Sequence, residues 1–160
     1  MDTEKKETTI YFLKMWLSEV ISNSQIFLLN TNKSLTFENT FYKRMMFDEH
    51  YILTATVMSV RFSKQLVDHS SKDIKQALVS FIENTKDAVD VRDMREHSDE
   101  YFLGRGRKQK EFFKGSDEHI QCDMSSSVQN ECGYMLGNLI AMETIKSECN
   151  NLLNLLTENT

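Results

Sequence analysis

Apolar side chains return at steps of three and four through most of this chain, and polar runs, with no proline at all, separate the periodic stretches. The first stretch predicts a helix over about residues 4–30, with Ile10, Leu13, Leu17, Val20 and Phe27 on one face. Phe12, Met15 and Trp16 widen that face, so this helix is expected to touch two neighbours or a second subunit. The polar run Asn30-Thr31-Asn32-Lys33-Ser34 is a turn. A shorter helix is expected over about 36–46, with a boundary near Asp48. Leu53, Val57, Val60 and Val67 then mark a helix over about 48–68, whose β-branched residues are weak helix formers and must be held by packing.

Ser70, followed three residues later by Asp73, has the form of a capping box that starts a long central helix. That helix is expected to continue to Leu103 and stop at Gly104. Leu78, Phe81, Thr85 and Ala88 form its core-facing stripe, and the next positions on the stripe are Arg92 and Arg95. An arginine there must snorkel to water or be held by a buried anion, so the helix is expected to leave the core and enter a cleft. Beyond the basic, glycine-bounded loop 104–115, the segment 119–140 carries Ile120, Val128, Tyr134 and Leu136 among serines and glycines, which predicts a short β-hairpin. A final amphipathic helix over about 141–157 returns Ile145, Leu152, Leu153 and Leu156 to the bundle. The expected fold is all-α: one domain over 1–160, a bundle of four or five helices with a small β-hairpin before the C-terminal helix.

Composition sharpens this picture. All five glycines lie between 104 and 137, so the first two-thirds of the chain lacks both strong backbone punctuators. A hydrophobic share of 40% and ten phenylalanines suffice for a packed core. The net charge of −5 argues against a protein that coats nucleic acid without selectivity, yet leaves room for a local basic patch. Three cysteines without Cys-x-x-Cys spacing argue against a disulfide framework and for a reducing compartment. The charged N-terminus has no apolar segment of signal type behind it, and no run approaches about 18 apolar residues. A soluble, cytoplasmic protein without a membrane partner is expected.

Candidate chemistry gathers in residues 90–101, which hold Arg92, Arg95, His97, Tyr101 and five carboxylates. On an ideal helix Arg92 and His97 lie about 140° apart, so one chain is not expected to pair them on one face, whereas a second copy across a twofold axis would. The plainer alternative is a salt bridge from Arg92 to Asp93 or Glu96 and a partly exposed histidine. Asp93, Glu96 and Glu100 share one face, where a hydrated Mg²⁺ competes with the reading of a solvated acidic surface. His119, Cys122, Cys132 and Cys149 supply zinc-type donors but lack paired chelate spacing; packing in a small core accounts better for the cysteines. Arg105, Arg107, Lys108, Lys110 and Lys114 interleave with Phe112 and Phe113, the composition of a single-strand-binding edge or of a solvated charged loop. No phosphate-cradling glycine loop, dinucleotide fingerprint or serine-nucleophile elbow is present.

Within a helical bundle, Arg92-Asp93-Met94-Arg95-Glu96-His97, an arginine and a histidine separated by four residues, resembles the motif of the higher-eukaryote-and-prokaryote nucleotide-binding (HEPN) superfamily. The continuation Ser98-Asp99-Glu100-Tyr101-Phe102-Leu103-Gly104-Arg105-Gly106 is similar to an uncharacterised bacterial branch of it. The resemblance implies a helical dimer that needs no cofactor and cleaves RNA without metal, often in a toxin or defence system. His97 would act as general acid or base on the ribose 2′-hydroxyl and Arg92 would stabilise the phosphorane-like charge. Arg95, Tyr101, Arg105, Arg107, Lys108 and Lys110 would contact the RNA or nucleotide. Asp93 stands where the toxin branch often has asparagine, and Asp99 where it has tyrosine, with Tyr101 two places on. Two other functions are therefore kept: a noncatalytic dimeric interaction module of the same fold, and an Mg²⁺-dependent all-α nucleoside-triphosphate pyrophosphohydrolase using Asp93, Glu96 and Glu100.

Overall fold

The computed structural model describes residues 1–31, 40–116, 118 and 121–159, with backbone alone at 40–43. Helix α1 (Thr3–Thr31) lies antiparallel along α2 (Thr40–Leu66), and a 3₁₀ turn, Val67–His69, leads into α3 (Lys72–Asn84). Helix α4 (Lys86–Glu96) packs on α2, and the five-residue α5 (Ser98–Phe102) follows. Strands β1 (Ser127–Asn130), β2 (Gly133–Leu136) and β3 (Ile140–Ala141) form an antiparallel sheet in that order before α6 (Met142–Glu158), which closes the bundle against α1 and α3. The expected architecture is present. A third strand pairs with the hairpin through Met135 opposite Ala141 and Leu136 opposite Ile140.

The core is built where the periodicity placed it. Leu13, Leu17, Val20 and Phe27 of α1 share one core cluster with Leu53 and Val60 of α2 and with Ile145, Leu152 and Leu156 of α6, and Val57 is buried as well. Burial of this face supplies the stabilisation that β-branched α2 lacks in intrinsic propensity. Thr56 and Ser59 of α2 are buried too, and each returns its hydroxyl to the backbone carbonyl four residues earlier.

Four boundaries differ from the expectation. The helix that was to begin near Asp48 is part of one continuous α2, and the turn and helix start expected at 32–39 lie outside the described residues. The capping box does not form: Ser71 occupies the N-cap of α3 without a side-chain cap, and Ser70 donates its hydroxyl back to Leu66 O. The long central helix breaks at Thr85, whose buried hydroxyl and N–H both donate to Phe81 O. Such back-bonding by a β-branched residue bends helices. A second break falls at His97, between α4 and α5. After Ala88 the core stripe continues through Val91 and Met94, while the Arg95 side chain is buried beside it and held by an anion, one of the two fates expected of an arginine there, and Arg92 is half-buried at the edge. Gly104, with φ of 71°, ends α5 as the sequence indicated.

Beside that stripe sits a buried ion pair that joins α2, α4 and the sheet. Arg95 Nη1 donates to Glu49 Oε2 at 2.6 Å, with both side chains almost fully covered. Arg95 also donates to Met124 O, Ser126 O and Ser127 Oγ, while Glu49 accepts from Ser127 Oγ at 2.7 Å and Tyr134 Oη at 2.5 Å. Burial, and then the neighbouring Glu49 carboxylate, push the Tyr134 phenol well above its ordinary range, so it stays a donor. Removing one member leaves the other charge buried and uncompensated. Arg95→Met is therefore expected to cost about 3–5 kcal/mol, read as a lowered urea midpoint. A loss under about 1 kcal/mol would mean that the pair places no constraint on the fold.

Candidate functional site

The second helix break shapes the site. Glu96 ends α4, and His97 (φ −112°, ψ 27°) turns the chain so that its carbonyl accepts the first N–H groups of α5, from Glu100 and Tyr101. Arg92 and His97 consequently line one cleft of about 300 Å³, together with Arg107 and Lys108 from the following loop. A second copy is thus not needed to bring the two residues to one cavity.

Within the cleft Arg92 is mostly covered. Its guanidinium forks onto Glu96, with Nη2 donating to Oε1 at 2.6 Å, and Nη1 lies 3.2 Å from Asp93 Oδ1. The Nε is buried and has no acceptor among the described residues. His97 is exposed, with Nδ1 3.9 Å from Glu100 Oε1. Met94 and Tyr101, one turn to either side of it in the sequence, are both buried in the core. The plain salt-bridge alternative for Arg92 is thus realised, inside the cavity that also holds His97.

The loop after α5 forms the opposite wall, and its order comes from four devices. Tyr101 stacks on buried Phe112 with ring centroids 4.9 Å apart, and its hydroxyl accepts from Lys108 N–H. Gly106 lies against the Tyr101 ring so closely that a Cβ would fall 2.2 Å from Cδ1, which explains a glycine there. Gln109 bridges Gly106 N and Tyr101 O. Lys108 binds Asp90 at 3.0 Å and Lys114 binds Asp87 at 3.1 Å, fastening the loop to α4. The Asp90 carboxylate raises the proton affinity of the Lys108 ammonium, so that cation persists at neutral pH.

The predicted site residues therefore divide. Arg92, His97, Arg107 and Lys108 meet in the cleft, and Tyr101 supports its floor from a buried position. Arg95 points away into the Glu49 pair, a structural role in place of the expected nucleic-acid contact. Arg105 and Lys110 are exposed on the loop outside the cleft lining. Asp93, Glu96 and Glu100 line the cleft, but two of them hold Arg92, and no three metal-ligating side chains gather among the described residues. That geometry gives the pyrophosphohydrolase alternative no metal centre. His119 lies outside the described residues; Cys122 and Cys149 are buried and Cys132 is exposed, with no disulfide among them. No helix among the described residues is long and apolar enough to cross a membrane.

Sequence reasoning missed Glu49. The signal was there: the stripe Val60, Val57, Leu53 extends four residues back to Glu49, a carboxylate on a core face that required a cation. The pairing of Lys108 and Lys114 with two successive acids of α4, Asp90 and Asp87, was also unseen, because those partners are 18 and 27 residues away.

No protein-family model, curated protein or solved structure matches this chain.

The carboxylate fork on Arg92 occupies the geometry a phosphate would take. Glu96→Gln is expected to release it and tighten inorganic phosphate binding by about 1.4- to fivefold, the 0.2–1 kcal/mol of a partly exposed pair. Isothermal titration of both proteins with phosphate measures this. Equal affinities would mean that Glu96 does not compete at Arg92.

Proposed function

We propose that this chain is a HEPN-like RNA-binding protein whose α4–α5 cleft cleaves RNA without metal. The observation that carries the reading is the turn at His97, which lets Arg92 and His97 line one cavity beside the cations Arg107 and Lys108. In the reaction the ribose 2′-oxygen attacks the adjacent phosphorus, forming a 2′,3′-cyclic phosphate as the bond to the 5′-oxygen breaks. His97 carries one of the two protons, accepting that of the 2′-hydroxyl or donating to the departing 5′-oxygen while water carries the other, and Arg92, released from Glu96, faces the charge on the phosphoryl oxygens. Cleavage is expected to persist in EDTA and to leave 2′,3′-cyclic ends. His97→Ala should slow it by about 10²- to 10⁴-fold with unchanged circular dichroism, since the side chain is exposed. Arg92→Ala should act similarly. Parent-like cleavage by His97→Ala would make the histidine a bystander and end this reading.

A second reading, a noncatalytic interaction module, is favoured by one observation: Asp93 and Glu96 already close on Arg92. Both readings include a homodimer, which we rest on another face. Phe12 and Met15 remain exposed on α1, Phe12 stacks on Phe62 of α2, and with Trp16 and Met58 they line an apolar groove of about 750 Å³. Its rim carries both charge signs, Asp2 and Glu4 beside Lys5, as suits a face that pairs with itself. Light scattering is expected to report about twice the 18.7 kDa chain mass, and Phe12→Glu with Met15→Glu to restore the single mass. A parent protein that scatters as a monomer at micromolar concentration would remove the dimer. A stable dimer that cleaves no RNA supports the module over the enzyme.

A further inference from the structure

The loop that walls the cleft divides its residues by exposure. Phe112 is fully buried, whereas Phe102, Leu103 and Phe113 around it are 64%, 66% and 56% exposed. Phe102 and Phe113 both stand edge-on to Phe112, with centroids at 5.6 and 5.1 Å, so one buried ring anchors two that face solvent. The cations divide in the same way. Lys108 and Lys114 are held by Asp90 and Asp87, while Arg105, Arg107 and Lys110 make no ion pair among the described residues. Two exposed rings, an exposed leucine and three cations without an ion pair among the described residues thus lie on the end of α5 and the loop after it, whose backbone is already ordered by the Tyr101 stack and the Gly106 contact.

We infer that this surface is a platform for single-stranded RNA, with bases stacking on Phe102 and Phe113 and phosphates meeting Arg105 and Lys110 on the way to the cleft. The inference deepens the RNA reading of the cleft and rests on it for the identity of the polymer. Unpaired cations beside exposed rings complement a chain of phosphates and π-faces, and an ordered loop lowers the entropic cost of binding. A flat anionic bilayer fits less well: the adjacent cleft wall presents Asp90, Asp93, Glu96 and Glu100, which a planar surface would meet and a strand can pass. A duplex fits less well because its bases are stacked on one another and unavailable to the rings.

The test uses the full chain and three probes: fluorescent 2′-O-methyl oligouridine of about 12 nucleotides, which resists cleavage, its duplex, and vesicles rich in phosphatidylserine. The single strand is expected to bind more tightly than the duplex. Phe102→Ala with Phe113→Ala should weaken it by about tenfold or more while leaving the salt dependence unchanged. Arg105→Ala with Lys110→Ala should instead reduce the slope of log affinity against log salt by about 1.4. Circular dichroism confirms that each variant folds. Parent-like binding by the aromatic variant, no binding of the single strand by the parent, or binding to vesicles alone each overturns the platform. The two proposals fail separately. Strand binding without cleavage of unmodified RNA removes the ribonuclease and keeps the platform, whereas cleavage with unaltered binding by the aromatic variant removes the platform and keeps the ribonuclease.

Discussion

The placement of the cleft depends on the buried pair of Glu49 and Arg95. Two charges removed from water are tolerated only when every lone pair and proton finds a partner, and here the carboxylate accepts from Arg95, Ser127 and Tyr134 while the guanidinium also caps two backbone carbonyls. A well-packed apolar pair would hold these elements as firmly. It would not fix the rotation of α4, because apolar contacts slide where a forked hydrogen-bond set does not. With Arg95 fixed inward and Val91 and Met94 in the core, Arg92 must emerge at the cleft edge.

The helix breaks decide what Arg92 meets there. An unbroken helix from 72 to 103 would carry His97 away from Arg92 and the loop cations. Neither break has proline or glycine at it. At Thr85 a buried β-branched residue bonds its own backbone; at His97 the chain must turn for Tyr101 to reach Phe112. The loop–helix ion pairs then close the wall.

This division explains what could be read from the sequence. Periodicity located α1, α6, the core of α2 and the hairpin region, because a helix or strand writes its buried face into neighbouring residues. Leu78, Phe81, Thr85 and Ala88 are all buried as read, even though the helix breaks between them. Local patterns were silent on the break itself, on the third strand and on the partner of Glu49, which lies 46 residues on. They were silent too on which of the adjacent Phe112 and Phe113 turns inward, a matter decided by Tyr101.

The cleft's charges constrain any polyanion that enters it. Asp90, Asp93, Glu96 and Glu100 face Arg92, Arg107 and Lys108, so the formal balance is negative in a chain already at −5. Long-range attraction therefore contributes little to capture, in contrast with a basic groove that steers its ligand from a Debye length away. Two of the acids are engaged by Arg92 and one by Lys108, which leaves Arg107 as the cleft cation most open to an incoming phosphate. A ligand seated there has to exchange with Glu96 for Arg92 and to gain most of its binding from contacts outside the cavity. Discrimination would then come from shape and stacking on the ordered loop, with the carboxylates rejecting anions that cannot make those contacts.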